Sequence, residues 1–149
     1  MGVCSDSNTS LLLLLLLLSV LVSKSSSEKT RVQIKNDIEG YEVALDMHCM
    51  SNDDDLDHRL LHQGDEWYWE FKPSFIHTHF WCEFRWYDNW DYNWKYGTFV
   101  VYDRKPFHDE YYNLCGDDCL YYARRDGFYV YHSVSDGDDW EKRGEWHIE

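Results

Sequence analysis

Proline and glycine are scarce in this chain. Among 149 residues there are 2 prolines, Pro73 and Pro106, and 8 glycines, which excludes collagen-like and proline-rich linker architectures. Positive charge is scarce too. Lys and Arg total 14 against 28 Asp and Glu, and the net charge of −14 argues against nucleic acid as a partner, because such a surface repels phosphates. There is no internal repeat and no long amphipathic helical pattern. Only one apolar run exists, residues 11–22, and it falls short of the ~20 residues that a membrane-spanning helix needs. No basic residue precedes that run, where Asp6 is the only charged side chain, and nothing later resembles a stop-transfer segment. The Asn-x-Ser/Thr sequon Asn8-Thr9-Ser10 precedes the run and has no counterpart beyond it.

The run itself has the length of a signal-peptide apolar core, followed by Ser23, Ser25, Ser26 and Ser27 as small residues. Residues 1–27 are therefore expected to be a signal peptide cleaved between 23 and 27, leaving one domain over residues 28–149. Removal would take away Asp6 and Lys24 together, so the net charge is unaltered. Cys4 would leave with the leader. Four cysteines would remain, Cys49, Cys82, Cys115 and Cys119. An even number in a small exported domain implies two disulfides, since the oxidising exterior preserves them. A zinc site is the weaker alternative, because Cys49 and Cys82 lack the close spacing of zinc ligands. Spacing cannot select among three connectivities. The nested pairs Cys49–Cys119 and Cys82–Cys115 are favoured on the ground that Cys115 and Cys119 lie too close together to anchor two layers by pairing with each other.

Period-two alternation dominates the remainder. Residues 30–36 read as an opening strand with Val32 and Ile34 on one face, and Tyr41, Val43, Leu45, Met47 and Cys49 form the cleanest alternation. Asn36, Asp37 and Gly40 supply turn chemistry between them. Trp67, Trp69 and Phe71 share a face before Pro73 stops that strand. Phe80, Cys82, Phe84 and Trp86 share another. Residues 98–102 make a further run, and residues 120–124 and 128–132 flank Arg125-Asp126-Gly127 as a hairpin. Seven or eight short strands imply an all-β, antiparallel sandwich.

His48-Cys49-Met50-Ser51-Asn52-Asp53-Asp54-Asp55-Leu56 resembles the HC-x-S-x-DDDL signature of the plant self-incompatibility protein S1 family, the S-protein homologues. The resemblance continues through Gly64, the aromatic strand Trp67-Tyr68-Trp69-Glu70-Phe71, and the F-x-C-x-F-x-W pattern of Phe80, Cys82, Phe84 and Trp86. Cys115, Cys119 and Gly127 complete it. Two departures stand out: Asp57 where family members usually carry Gly, and Tyr121 where many carry Trp. The resemblance implies a small secreted β-sandwich without enzymatic activity. Its best-understood members are similar to the poppy stigma determinants, ligands of a pollen membrane receptor that lead to rejection of self pollen. The implied role here is an extracellular signalling ligand for a cell-surface receptor, with no cofactor, no membrane insertion once the leader is removed, and a monomeric state.

Other residue groups favour this reading over enzymes and metal sites. Asp53, Asp54, Asp55 and Asp57 do not fit an EF-hand loop, in which the sixth and twelfth positions would be His58 and Gly64. Asx turns are the commoner use of such residues. His77 and His79 share a strand face, yet spacing supplies no third ligand, so no metal is expected. Ser133 and Ser135 near His132 and Asp136 are merely neighbours in sequence, and nothing places Glu66 and Glu70 in a cleft. The surplus of aromatics does suggest a surface: 8 Trp, 12 Tyr and 7 Phe all lie at or after Tyr41. Trp86, Tyr87, Trp90, Tyr92, Trp94 and Tyr96 interleave with Asp88, Asn89, Asp91 and Asn93, a mixture common in recognition loops. Asp53, Asp54, Asp55, Trp90, Tyr92 and Trp94 are thus expected to bind the partner. The alternatives are that residues 90, 92 and 94 pack on the core, or that the rings bind carbohydrate.

Overall fold

Alternating burial along the chain becomes strand pairing in two stacked sheets. The computed structural model describes residues 7–23, 29–105, 115–134 and 137–149. A helix, α1 (Ser7–Ser23), is followed by β1 (Thr30–Asn36), β2 (Leu45–Ser51), β3 (Asp55–Leu61), β4 (Glu66–Phe71) and β5 (Thr78–Asp88). Then come β6 (Asn93–Arg104), β7 (Asp118–Arg124), β8 (Gly127–Val134), β9 (Gly137–Gly144) and β10 (His147–Ile148). One sheet has the order β4-β1-β7-β8-β9 and the other β10-β6-β5-β2-β3. All pairings are antiparallel except β1 with β7, which is parallel. The strands number ten among the described residues, more than the seven or eight expected, chiefly because β9 forms from a charged stretch with little alternation.

Val32 and Ile34 of β1, Leu45 and Met47 of β2, Phe84 and Trp86 of β5 and Tyr121 and Ala123 of β7 fill the space between the sheets. Each large apolar side chain removed from water contributes about 1.5–3 kcal/mol. Phe128 anchors an aromatic stack, with Tyr121 at 5.1 Å, Phe99 at 4.8 Å and Phe84 at 4.9 Å between ring centroids. Phe99 fits because Gly97 and Gly144 lack side chains: a Cβ at either would stand 2.7 or 2.6 Å from its ring. The Tyr121 hydroxyl donates to the Val101 carbonyl at 2.7 Å, tying one sheet to the other through a buried hydrogen bond. Burial raises the Tyr121 pKa far above its ordinary value.

The disulfides differ from the nested pairs Cys49–Cys119 and Cys82–Cys115. Cys49 bonds Cys82, and Cys115 bonds Cys119. The reason lies in register. Cys49 of β2 sits directly opposite Cys82 of β5, so the bridge joins neighbouring strands of one sheet, with Cα atoms 4.0 Å apart. Cys119 enters β7 behind the turn that carries Gly116, and the left-handed φ of +64° at Gly116 folds Cys115 back to a Cα separation of 4.9 Å. Closeness in sequence, taken above to forbid that pair, is what this turn exploits.

The leucine run forms α1, with Leu11 to Leu18 exposed. No helix among the described residues is long and apolar enough to cross a membrane.

Candidate partner-binding surface

The aromatic link is a hairpin. Asp88 at the end of β5 pairs with Asn93 at the start of β6, so only Asn89, Trp90, Asp91 and Tyr92 form the turn, and Trp94 and Tyr96 belong to a strand. Their rings nevertheless face outward. Relative exposure is 57% for Trp90, 80% for Tyr92, 42% for Trp94, 41% for Tyr87 and 44% for Tyr96. Period two explains the division: Trp86 points inward and is fully buried, whereas Tyr87, Trp94 and Tyr96 occupy the outer face. Tyr87 meets Trp94 edge-on at 5.4 Å, Arg85 lies 4.3 Å from the Trp94 ring centroid, and Tyr96 meets His147 at 5.4 Å. The reading in which residues 90, 92 and 94 pack into the core does not describe this hairpin.

A buried carboxylate holds the turn. Asp88 is 1% exposed. Its Oδ1 accepts the Trp90 N–H at 2.9 Å, the Asp91 N–H at 3.3 Å and the Arg125 guanidinium at 2.5 Å. Lys95 Nζ lies 3.2 Å from Oδ2. Burial alone would raise the Asp88 pKa, but these N–H donors, Lys95 and Arg125 outweigh it and bring it down to about 2. Lys95 responds in the opposite direction: burial lowers its pKa, yet its bonds to Asp91 and Asp88 leave it raised.

Arg125 extends the clamp to the neighbouring loop. It donates to the Glu39 carbonyl, and its guanidinium lies 3.4 Å from the Trp90 ring centroid. A Cβ at Gly40 would stand 2.7 Å from an Arg125 nitrogen, so glycine permits this approach, and its φ of +134° suits no other residue well. Asn89 Nδ2 donates to the Tyr41 carbonyl at 3.1 Å, and the buried Asn36 secures the same loop by donating to the carbonyls of Val43 and Leu61. Tyr41 therefore stands beside the hairpin, 81% exposed. Trp90 has two parts to play, as an exposed ring and as the cover over Arg125.

The acidic turn lies elsewhere. Leu45 is opposite Trp86 and Ser51 opposite Phe80, so the two ends of β2 mark opposite ends of the sheet, about 20 Å apart for six residues. Asp53, Asp54 and Asp55 follow Ser51, and Trp90 and Tyr92 lie at the far end. The structure does not bring the two groups together. Ser51 Oγ accepts the N–H groups of Asp53 and Asp54, and Asp55 Oδ1 accepts that of Asp57 at 2.9 Å, which makes this segment a self-bonded turn. Contact with His48 at 2.6 Å, helped by the Asp57 N–H, lowers the Asp55 pKa. Asp57 adopts φ +63°, a conformation natural to glycine, so Asp at this position keeps the left-handed backbone.

Three features escaped sequence reasoning. Tyr41 fits the alternation of β2 yet precedes that strand, on a loop where Glu42 turns left-handed at φ +57°. Phe75 and Ile76, between β4 and β5, are 99% and 80% exposed; their position outside any alternation, just after Pro73, was the available signal. Arg125 read only as a hairpin residue, and no spacing reveals its pairing with Asp88.

Comparison with known proteins decides the family. The sequence pattern of plant self-incompatibility protein S1 matches residues 31–146. This chain belongs to the plant self-incompatibility protein S1 family. It is similar to S-protein homolog 13 of Arabidopsis thaliana, 31% identical over 120 residues that cover 72% of this chain and 70% of that protein. Self-incompatibility protein S1 of Papaver rhoeas is 32% identical over 87 residues, covering 58% of this chain and 57% of the relative. S-protein homolog 2 of Arabidopsis thaliana is 33% identical over 104 residues, covering 68% and 59% respectively. No solved structure matches the chain. The S1 family is a self-incompatibility family and not a known enzyme family.

Proposed function

We propose that this S1-family protein is a secreted ligand for a cell-surface receptor and binds it through the β5–β6 hairpin with the adjoining Tyr41 loop. Five exposed rings on the hairpin, held on a turn whose base is the buried Asp88, carry this reading. Aromatic anchors on a rigid base lose little entropy on docking and supply much of the binding energy at protein interfaces. The net charge of −14 would steer the protein toward a basic patch on the receptor. Export through cleavage after the leucine-rich segment, between residues 23 and 27, belongs to the same proposal, as does a monomeric state. A role in pollen–stigma recognition is part of the same proposal, and the similarity to Self-incompatibility protein S1 of Papaver rhoeas is what suggests it. Asp53, Asp54 and Asp55, at the other end of the sheet, contribute only if the interface is long enough to span both.

The test is receptor-bearing cell binding by variants matched for stability. Tyr92→Ala and Trp94→Ala should each weaken binding by about tenfold or more, the loss of ~1.4 kcal/mol or greater that marks an anchor residue. Their thermal midpoints should remain within a few degrees of the parent. Unchanged binding by both variants would place the recognition surface elsewhere. A second reading, carbohydrate binding, draws on the outer face: Tyr96 lies with His48, His58, Glu83, Arg85 and Thr98 around a shallow depression of about 270 Å³. Retention on a glycan array that is lost in Tyr96→Ala, without binding to a protein receptor, would select that reading.

A further inference from the structure

We propose that His77, His79 and Asp103 form a binding site for a divalent transition-metal ion, zinc foremost. The sequence offers two histidines two residues apart and no third ligand within reach. The fold provides it. His79 of β5 pairs directly with Asp103 of β6, and His77 stands just before β5 on the same face. One donor atom from each lies within 4.8 Å of the others. His77 Nε2 is 2.6 Å from Asp103 Oδ1, and His79 Nδ1 is 3.6 Å from the same oxygen.

Two imidazoles and one carboxylate make a ligand set that zinc accepts in tetrahedral geometry, with water in the fourth position. Zinc–ligand bonds of about 2.0–2.2 Å place neighbouring donors roughly 3.3–3.5 Å apart, so small side-chain rotations convert the present spacing into coordination. His79 Nδ1 points the same way. It is shielded from solvent and finds no hydrogen-bond partner among the described residues, whereas buried polar atoms normally have one. A metal ion would satisfy it. The backbone that presents His77 is also fixed: Ser74 Oγ donates to the His77 carbonyl at 3.1 Å, and the Ser74 N–H donates to Thr78 Oγ1 at 2.8 Å.

The other close histidine pair provides an internal control. His48 and His58 stack at 4.2 Å, but each faces a different carboxylate, Asp55 and Asp46, so their donors do not converge on one point. The proposed site lies at the end of β5 away from the aromatic hairpin, and it stands whether or not that hairpin binds a receptor.

The experiment uses the secreted chain without a histidine tag, stripped with EDTA and titrated calorimetrically with zinc chloride. Wild type should bind one zinc per chain, with a rise in thermal midpoint that EDTA reverses. His77→Ala and Asp103→Asn should each weaken zinc by at least ~10-fold, and His58→Ala should leave the affinity unchanged. His77 is exposed on a loop, so His77→Ala decides the matter even if Asp103→Asn does not fold. Absence of zinc binding by wild type, full affinity in His77→Ala or in folded Asp103→Asn, or loss of binding in His58→Ala would each overturn the site.

Discussion

Replacing Asp88 by Asn keeps the shape of the side chain and removes its charge. In the native hairpin the carboxylate serves the N–H groups of Trp90 and Asp91, the Arg125 guanidinium and Lys95 at once. An amide can still accept through Oδ1, but it presents an NH2 group to Lys95 where Oδ2 now lies and leaves both cations without their shared counter-charge. The depression of the Asp88 pKa from an ordinary ~3.9 to about 2 sets one scale, close to 2.5 kcal/mol at 1.36 kcal/mol per unit. Breaking a buried ion pair sets another, about 3–5 kcal/mol. Arg125 and Lys95 retain some access to solvent, so Asp88→Asn should cost about 3 kcal/mol near pH 7. The sign of the pH dependence follows from the depressed folded-state pKa. The contribution is complete above the unfolded value near 3.9 and is lost as pH falls through about 2. Urea unfolding of parent and variant from pH 7 to pH 3 should show their difference shrinking by roughly half the 2.5 kcal/mol. A cost below about 0.5 kcal/mol at pH 7, or a difference independent of pH, would refute the clamp.

Further outcomes follow from the same frame. Paired Cys49→Ala and Cys82→Ala substitutions should cost about 4 kcal/mol, and paired Cys115→Ala and Cys119→Ala about 2, because the closed loops differ in length. Chemical denaturation measures both, and peptide mapping under non-reducing conditions should recover each pair within one sheet or one turn. Tyr121→Phe should cost about 1–2 kcal/mol by leaving the buried Val101 carbonyl without its donor, read as a fall in denaturation midpoint at unchanged slope.

The strands were legible where burial is one-sided. Throughout β1, and in β7 from Cys119 onward, buried and half-buried residues alternate without a break, so the period of two that marks the sequence is the period of the sheet. Strand β9 escaped because most of its side chains are charged or polar, and backbone pairing with β8 holds it. The disulfides failed for a different reason. Both Cys49 and Cys82 were rightly placed facing the core, but facing inward does not say whether two strands are neighbours or lie in opposite layers. That information resides in sheet order, which alternation does not encode. Asp88 shows the same gap: it stood in an acidic, aromatic link like its neighbours Asn89 and Asp91, and only the pairing of β5 with β6 and the approach of Arg125 from the other sheet separate it from them.

These features explain how the hairpin can expose so many large rings and still hold one shape. A turn carrying Trp and Tyr has little apolar burial of its own, and Tyr92 adopts a left-handed φ of +56° that bulky residues avoid. The turn therefore has to be fixed from below. Asp88 provides that support through charge-assisted bonds, and Arg125 links it to the Tyr41 loop through the Glu39 carbonyl. The exposed rings are thereby released from any duty in the core, apart from Trp90, whose face covers Arg125. Loss of Asp88 should consequently disorder the turn and the Tyr41 loop together, while Tyr92 and Trp94 can be exchanged with little effect on the fold.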